Sequence, residues 1–93
     1  MIKHFKCRET EKIFHTIGSQ KFPDNIQKRA LIKLTALHAC TSINDLRIPP
    51  SNHLEQLRGN RRGQHSIRIN EQWRICFIWL NNNAYEVEIV DYH

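Results

Sequence analysis

The sequence predicts an α+β fold. A short N-terminal strand and a helical hairpin pack on a small antiparallel sheet, in the order β-α-α-β-β-β. Three observations lead there. Residues 65–69 alternate apolar and polar, and Trp73 to Leu80 continues as an apolar run, which is strand behaviour. Residues 10–17 and 24–40 instead carry apolar side chains at helical spacing. The chain has 93 residues, enough for one two-layer domain over 1–93 and no more.

Taken in order, Met1 to Phe5 alternates weakly and reads as a strand that joins the C-terminal sheet. Thr10 to Ile17 places Ile13, Phe14 and Ile17 on one helical face, with Gly18 as C-cap. After Lys21-Phe22-Pro23, Asp24 caps a longer helix from Asn25 to about Cys40. Its buried stripe is Ile26, Ala30, Leu34 and Leu37, extended by Thr41 and widened by Leu31. Lys28, Arg29 and Lys33 lie on its solvated side. A helical turn is expected at Ile43 to Leu46, and Pro49-Pro50 forces an extended chain.

Leu57 to Gly63 is a basic loop, and three strands follow it. Asn70-Glu71-Gln72 is a hairpin loop that pairs Ile67 with Ile75, and so sets Arg68 opposite Arg74. A second turn at Asn82-Asn83 then pairs Arg74 with Asp91 and brings His93 to the same face. The expected core face is Ile67, Ile69, Trp73, Ile75, Phe77, Trp79, Val90 and Tyr92, with Glu86 and Glu88 on it at an edge. Two readings of the Arg68, Arg74, Asp91, His93 face stand side by side: an anion site, or a structural Arg74–Asp91 ion pair.

Composition narrows the function. Net charge is +5, which suits nucleic acid or an acidic protein partner. Between Leu57 and Leu80 there are five arginines, no lysine and one acid, Glu71. Guanidinium groups favour planar, two-point contact with phosphate or carboxylate. Cys7, Cys40 and Cys76 form no paired spacing, and His4 with Cys7 is only half a metal site, so neither a disulfide framework, a metal nor a cofactor is expected. No signal peptide or transmembrane run is present, so cytoplasmic residence without membrane contact is expected.

Metal-free RNA cleavage needs a base for the ribose 2′-hydroxyl, an acid for the leaving 5′-oxygen, and cations for the phosphorane. Candidate acids and bases are His93, Asp91, Tyr92, Glu55, His53 and His65. Arg58, Arg68 and Arg74 supply charge, with Arg61 and Arg62 as backbone grips.

The stretch from Leu57-Arg58-Gly59-Asn60-Arg61 through Gly63-Gln64-His65-Ser66-Ile67-Arg68-Ile69-Asn70, then Gln72-Trp73-Arg74-Ile75-Cys76-Phe77 and the ending Val90-Asp91-Tyr92-His93, resembles the HigB-like toxins of the RelE/ParE superfamily. Pro49-Pro50-Ser51-Asn52 with Leu54-Glu55 is similar to the GraT-type branch. The resemblance covers essentially the whole chain. It implies a RelE-like fold and a toxin that cuts mRNA in the ribosomal A site. It also implies a HigA-like helix-turn-helix antitoxin as partner, with operator DNA reached only through that antitoxin.

Carried over residue by residue, the resemblance implies catalytic roles for Arg58, Arg74, Asp91, Tyr92 and His93. The family's loop histidine is replaced here by Glu55, with His53 two residues away. A carboxylate titrates near 4.3 in reference peptides and histidine near 6.5, so Glu55 implies a weaker base and a weaker toxin. His53 and His65 are expected to be RNA-contacting or structural, and Arg61, Arg62 and Arg68 are the expected RNA or ribosome contacts. Two other readings stay open: a ParE-like inhibitor of DNA gyrase, and a ribosome- or RNA-binding protein that does not cut.

Overall fold

A computed structural model of the chain describes residues 1–92. Two helices, α1 (Arg8–Phe14) and α2 (Asp24–Ala39), cover one face of a sheet made of β1 (Glu55–Gln56), β2 (Gln64–Arg68), β3 (Trp73–Leu80) and β4 (Asn83–Asp91). The strands lie in chain order and every neighbouring pair is antiparallel. The expected N-terminal strand is reduced to two parallel bridges beside β4, Ile2 to Ala84 and Phe5 to Val87. β1 was not read from the sequence; two residues carry too little pattern to mark a strand.

The helices follow their apolar stripes with shifted ends. α1 stops at Phe14, and Thr16 rather than Gly18 takes the first left-handed position beyond it, at φ 63°. Ile17 is consequently left exposed. In α2, Asp24 is the first helical residue and Pro23 stands at the cap position, without a side-chain cap bond. Asp24 therefore acts through the favourable charge of an acid in the first turn. Ile26, Ala30, Leu34 and Leu37 are buried against Ile67, Ile69, Ile75 and Phe77, which are also buried. Thr41 is exposed, so the stripe ends with the helix. A 3₁₀ turn, Ile43–Arg47, begins with a capping box between Ser42 and Asp45. α1 is tied to the sheet where the Ile89 amide donates to the buried Thr10 Oγ1 at 3.0 Å.

The β2–β3 register is as expected: Ile67 opposes Ile75, and Arg68 opposes Arg74. Asn70 shapes that hairpin, its Oδ1 accepting from the amides of Gln72 and Trp73, each at 2.8 Å. The β3–β4 register is not. The turn is Asn81-Asn82, both residues left-handed, and it pairs Leu80 with Asn83. The register then shifts between Cys76 and Ile78, where Glu86 adopts φ 50° as the extra residue of a bulge. Beyond the bulge Arg74 opposes Val90, and Asp91 opposes Trp73.

One inserted residue changes the face of everything after it. Val87 and Ile89 enter the core instead of Val90 and Tyr92, and Tyr92 is exposed. Glu88 leaves the expected core face for the far face, where it pairs with Lys6 at 3.4 Å and Arg61 at 3.3 Å. Asp91 likewise moves off the Arg74 face.

Candidate active site

Arg74 is the anchor of the far face. It sits mid-sheet at 8% exposure. Burying an unpaired guanidinium would be costly, so its contacts decide whether it can stay there. Its Nε donates to Ser66 Oγ at 2.8 Å, from the neighbouring strand. Its Nη2 donates to the carbonyl of His53, with a longer contact to the carbonyl of Ser66 at 3.4 Å. The Arg74 Cζ lies 5.6 Å from the centre of the Tyr92 ring, within cation–π range.

The remaining edge of the guanidinium carries Nη1, which faces Glu55 Oε1 at 3.8 Å. That separation is an ion pair and exceeds hydrogen-bond length. Among the described residues Nη1 makes no hydrogen bond. Glu55 opposes Ser66 in the β1–β2 ladder, and its side chain is about half exposed, at 51%. A fixed cation edge, a carboxylate and a phenol ring thus meet on an open surface.

His53 enters through its backbone. The turn Pro50–Asn52 ends at His53, held left-handed at φ 43°. Asn52 before it is buried, and its Nδ2 donates to the carbonyls of Leu46 at 3.1 Å and Ile48 at 3.4 Å. Lys33 Nζ donates to Asn52 Oδ1. The turn that delivers the His53 carbonyl to Arg74 is therefore pinned from the core side. Neither Ser66 nor Asn52 was singled out as functional from the sequence. Ser66 had a signal, since alternation in 65–69 puts it on the arginine face. Asn52 stood only within the Pro49-Pro50-Ser51-Asn52 motif, and no local pattern marked its role, which comes from contacts with Lys33, Leu46 and Ile48.

The other expected residues divide. Arg61 reaches across the face, its Nη1 donating to Gln64 Oε1 at 3.1 Å and pairing with Glu88. Arg58 and Arg62 are exposed and line a cavity of about 420 Å³ with Gln56, Leu57 and Gly59. Among the described residues neither makes an ion pair. Arg68 pairs loosely with Glu71, at 4.0 Å.

His65 is not with them. It opposes Phe77 on the helix-facing side and stacks on that ring, with centroids 6.2 Å apart. Burial, then the charge of Arg47, pushes its pKa below the ordinary value. Its Nδ1 is buried without a hydrogen-bond partner among the described residues. Of the two expectations for His65, RNA contact or a structural role, this placement favours the structural one, because the side chain faces away from Arg74.

Asp91 is exposed, and its Oδ2 accepts from Gln72 Nε2 at 3.1 Å. The expected Arg74–Asp91 pairing is replaced by Arg74–Val90, for the bulge reason given above. His93 lies outside the described residues. Burial pushes the thiols of Cys40 and Cys76 up, consistent with two small core residues. No helix among the described residues is long and apolar enough to cross a membrane.

Comparison with known proteins identifies the family and the fold. Residues 3–93 match the family described as RelE-like toxin of type II toxin-antitoxin system HigB. Toxin HigB-1 of Vibrio cholerae serotype O1 is 44% identical over 85 residues, 90% of each chain. Endoribonuclease HigB of Proteus vulgaris is 32% identical over 93 residues, the full length of both. The fold is shared with a chain of the YoeB-YefM complex from Staphylococcus aureus, at a TM-score of 0.61 and 19% identity, covering 100% of this chain and 98% of that one. With that coverage and identity, the chain belongs to the HigB-like family of RelE-like toxins from type II toxin–antitoxin systems.

Proposed function

We propose that this toxin is an endoribonuclease that cuts mRNA on the ribosome and so inhibits translation. The observation that carries the reading is the Arg74 guanidinium, fixed by Ser66 and His53 with its Nη1 edge turned to Glu55 on an exposed face. The relative named Endoribonuclease HigB, matched end to end, supports the same activity.

The chemistry assigned here is metal-free transesterification. Glu55 takes the 2′-hydroxyl proton as O2′ bonds to phosphorus. Arg74 holds the charge that builds on the non-bridging phosphate oxygens, with Arg58 as a second cation from the loop. The bond from phosphorus to O5′ then breaks. His93 is the proposed acid for O5′, and Tyr92, whose ring lies beside Arg74, is assigned to binding the phosphate or the adjacent base. The products are a 2′,3′-cyclic phosphate and a free 5′-hydroxyl, so atoms and protons balance. Asp91 is assigned to positioning the chain end, since its face differs from that of Arg74.

A single carboxylate base makes a slow enzyme at neutral pH, because a weak base extracts the proton with little driving force. A HigA-like helix-turn-helix antitoxin is the expected neutralising partner, with operator DNA contacted only through it. Residence in the cytoplasm, where ribosomes work, follows from this reading.

The test is primer extension on a translated mRNA with ribosomes, comparing wild type with Arg74→Ala and His93→Ala. The reading requires a cut inside the A-site codon, absent on free RNA and lost in both variants. Growth inhibition without any cut, unchanged by His93→Ala, would refute it and favour a protein-binding inhibitor.

A further inference from the structure

A second basic cluster lies outside the Arg74 contacts. A cleft of about 550 Å³ opens between α2 and the end of β2, lined by Arg29, Lys33, Ser51, Arg68, Asn70 and Glu71. Three cations from two elements converge there against one carboxylate. Glu71 itself is 95% exposed at its side chain and touches Arg68 only at 4.0 Å.

Two of the three cations make hydrogen bonds at the cleft. Arg29 Nη1 donates to the carbonyl of Ile69 at 3.4 Å, and Lys33 Nζ donates to Asn52. Burial first, then the charge of Arg29, lowers the Lys33 pKa. Like charges held together in a partly desolvated cleft are unfavourable until an anion enters. A solvated helix face was the sequence reading of Arg29 and Lys33. That reading holds for Arg29, which is exposed, while Lys33 is half-buried where it donates to Asn52 of the Pro50–Asn52 turn.

We propose that this cleft is a second anion subsite, which takes a backbone phosphate of the same RNA strand that meets Arg74. The proposal rests on the RNA reading above and names a part of it. Continuity with the Arg74 face supports a single ligand. Arg68 stands directly opposite Arg74 in the ladder, where Cβ atoms are typically about 5 Å apart. Ser51 lines the cleft, while His53, two residues on, accepts from Arg74. A strand that rounds the end of β2 past Arg68 would therefore reach the cleft from the Arg74 face. Contacts of this kind grip the backbone without reading sequence.

The probe is a fluorescently labelled, single-stranded RNA dodecamer with 2′-O-methyl groups, which the protein can bind but cannot cleave. Its affinity is measured by anisotropy between about 50 and about 200 mM salt. Arg29→Gln should weaken binding by about tenfold at the lower salt, as expected for loss of one charged contact. It should also flatten the plot of log affinity against log salt by about 0.7, the slope for one contact with a single strand. Arg29→Lys should keep most of both. Glu71→Gln should act in the opposite sense and tighten binding, because it removes the carboxylate that competes with phosphate.

Arg29→Gln with wild-type affinity and slope would overturn the proposal, as would weakened binding of a partner protein with RNA binding unchanged. If Arg29→Gln fails to fold, Glu71→Gln decides: binding no tighter than wild type rejects the subsite. The nuclease reading fails separately, through absence of cleavage by the wild type on ribosomes, and the salt slopes are read without any cleavage.

Discussion

Lys33 on α2 and Arg74 on β3 hold adjacent residues of one turn from opposite sides. The lysine donates to the side chain of Asn52, and the arginine donates to the carbonyl of His53. The turn is thereby locked between the helix layer and the open face of the sheet. A helix outside the site fixes a carbonyl inside it.

Arg74 is a structural support and the proposed phosphate-binding cation, and two substitutions separate the roles. Arg74→Ala should lower stability by about 1–3 kcal/mol, because Ser66 and the His53 carbonyl lose their donor in a buried setting. Cleavage should fall by about 10²–10³-fold, the usual loss when a donor to a developing oxyanion is removed. Arg74→Lys should recover part of the stability and little of the rate, since an ammonium puts its donors on one nitrogen and lacks the fork that reaches Ser66, His53 and a phosphate from separate edges. Urea unfolding with the ribosome cleavage assay reads both quantities.

Glu55 stands where the resemblance implies a loop histidine, 3.8 Å from Arg74 Nη1. Glu55→His should raise cleavage at neutral pH, and Glu55→Gln should abolish most of it. The pH profile tests the role further, because the histidine variant should gain activity over a higher range, near its reference pKa of about 6.5. No gain in the histidine variant would argue against Glu55 as the base.

Asn52 is buried and donates to two carbonyls. Asn52→Ala should cost about 1–3 kcal/mol in urea unfolding, because those carbonyls lose their donor. It should also loosen the His53 carbonyl, so cleavage should fall while ribosome binding changes little.

His65 predicts acid sensitivity. Its folded pKa lies below its unfolded value through burial, so the unfolded chain binds a proton more readily than the native one. Stability then rises with pH across that interval and falls as pH drops below about 6.5 toward the folded value. Below both values the loss is complete and constant. His65→Phe keeps the stack on Phe77 and removes the proton site. Thermal unfolding from neutral to mildly acid pH should show a smaller decline in the variant than in wild type.

Glu86 bears the left-handed bulge conformation at φ 50°. Glu86→Gly should be tolerated, and Glu86→Val should lose about 1–3 kcal/mol, because a β-branched residue is strained there. If the valine variant is as stable as wild type by chemical denaturation, the bulge is not the constraint that sets β4.

The sequence by itself determined the helices, the β2–β3 register and the basic loop. Each is a local consequence of pattern: the stripe Ile26, Ala30, Leu34, Leu37 for α2, and like facing like at Ile67 and Ile75 across a three-residue loop. It also placed Arg68 opposite Arg74 and Ser66 on the same face, because alternation has a period of two. The family was legible in the motifs of 57–77 and in the last four residues.

The tertiary structure alone decided which side of the sheet the end of β4 presents. The one signal was a break in parity, from Ala84 to Val87 and Ile89, which a bulge resolves and a plain turn does not. That break moved Asp91 away from Arg74 and sent Glu88 to Arg61. Long-range contacts also turned Lys33 from a surface charge into a pin for Asn52, and made His53 matter through its carbonyl. No local pattern encodes such contacts, since they form only when a loop packs across a sheet edge and a buried guanidinium must find partners.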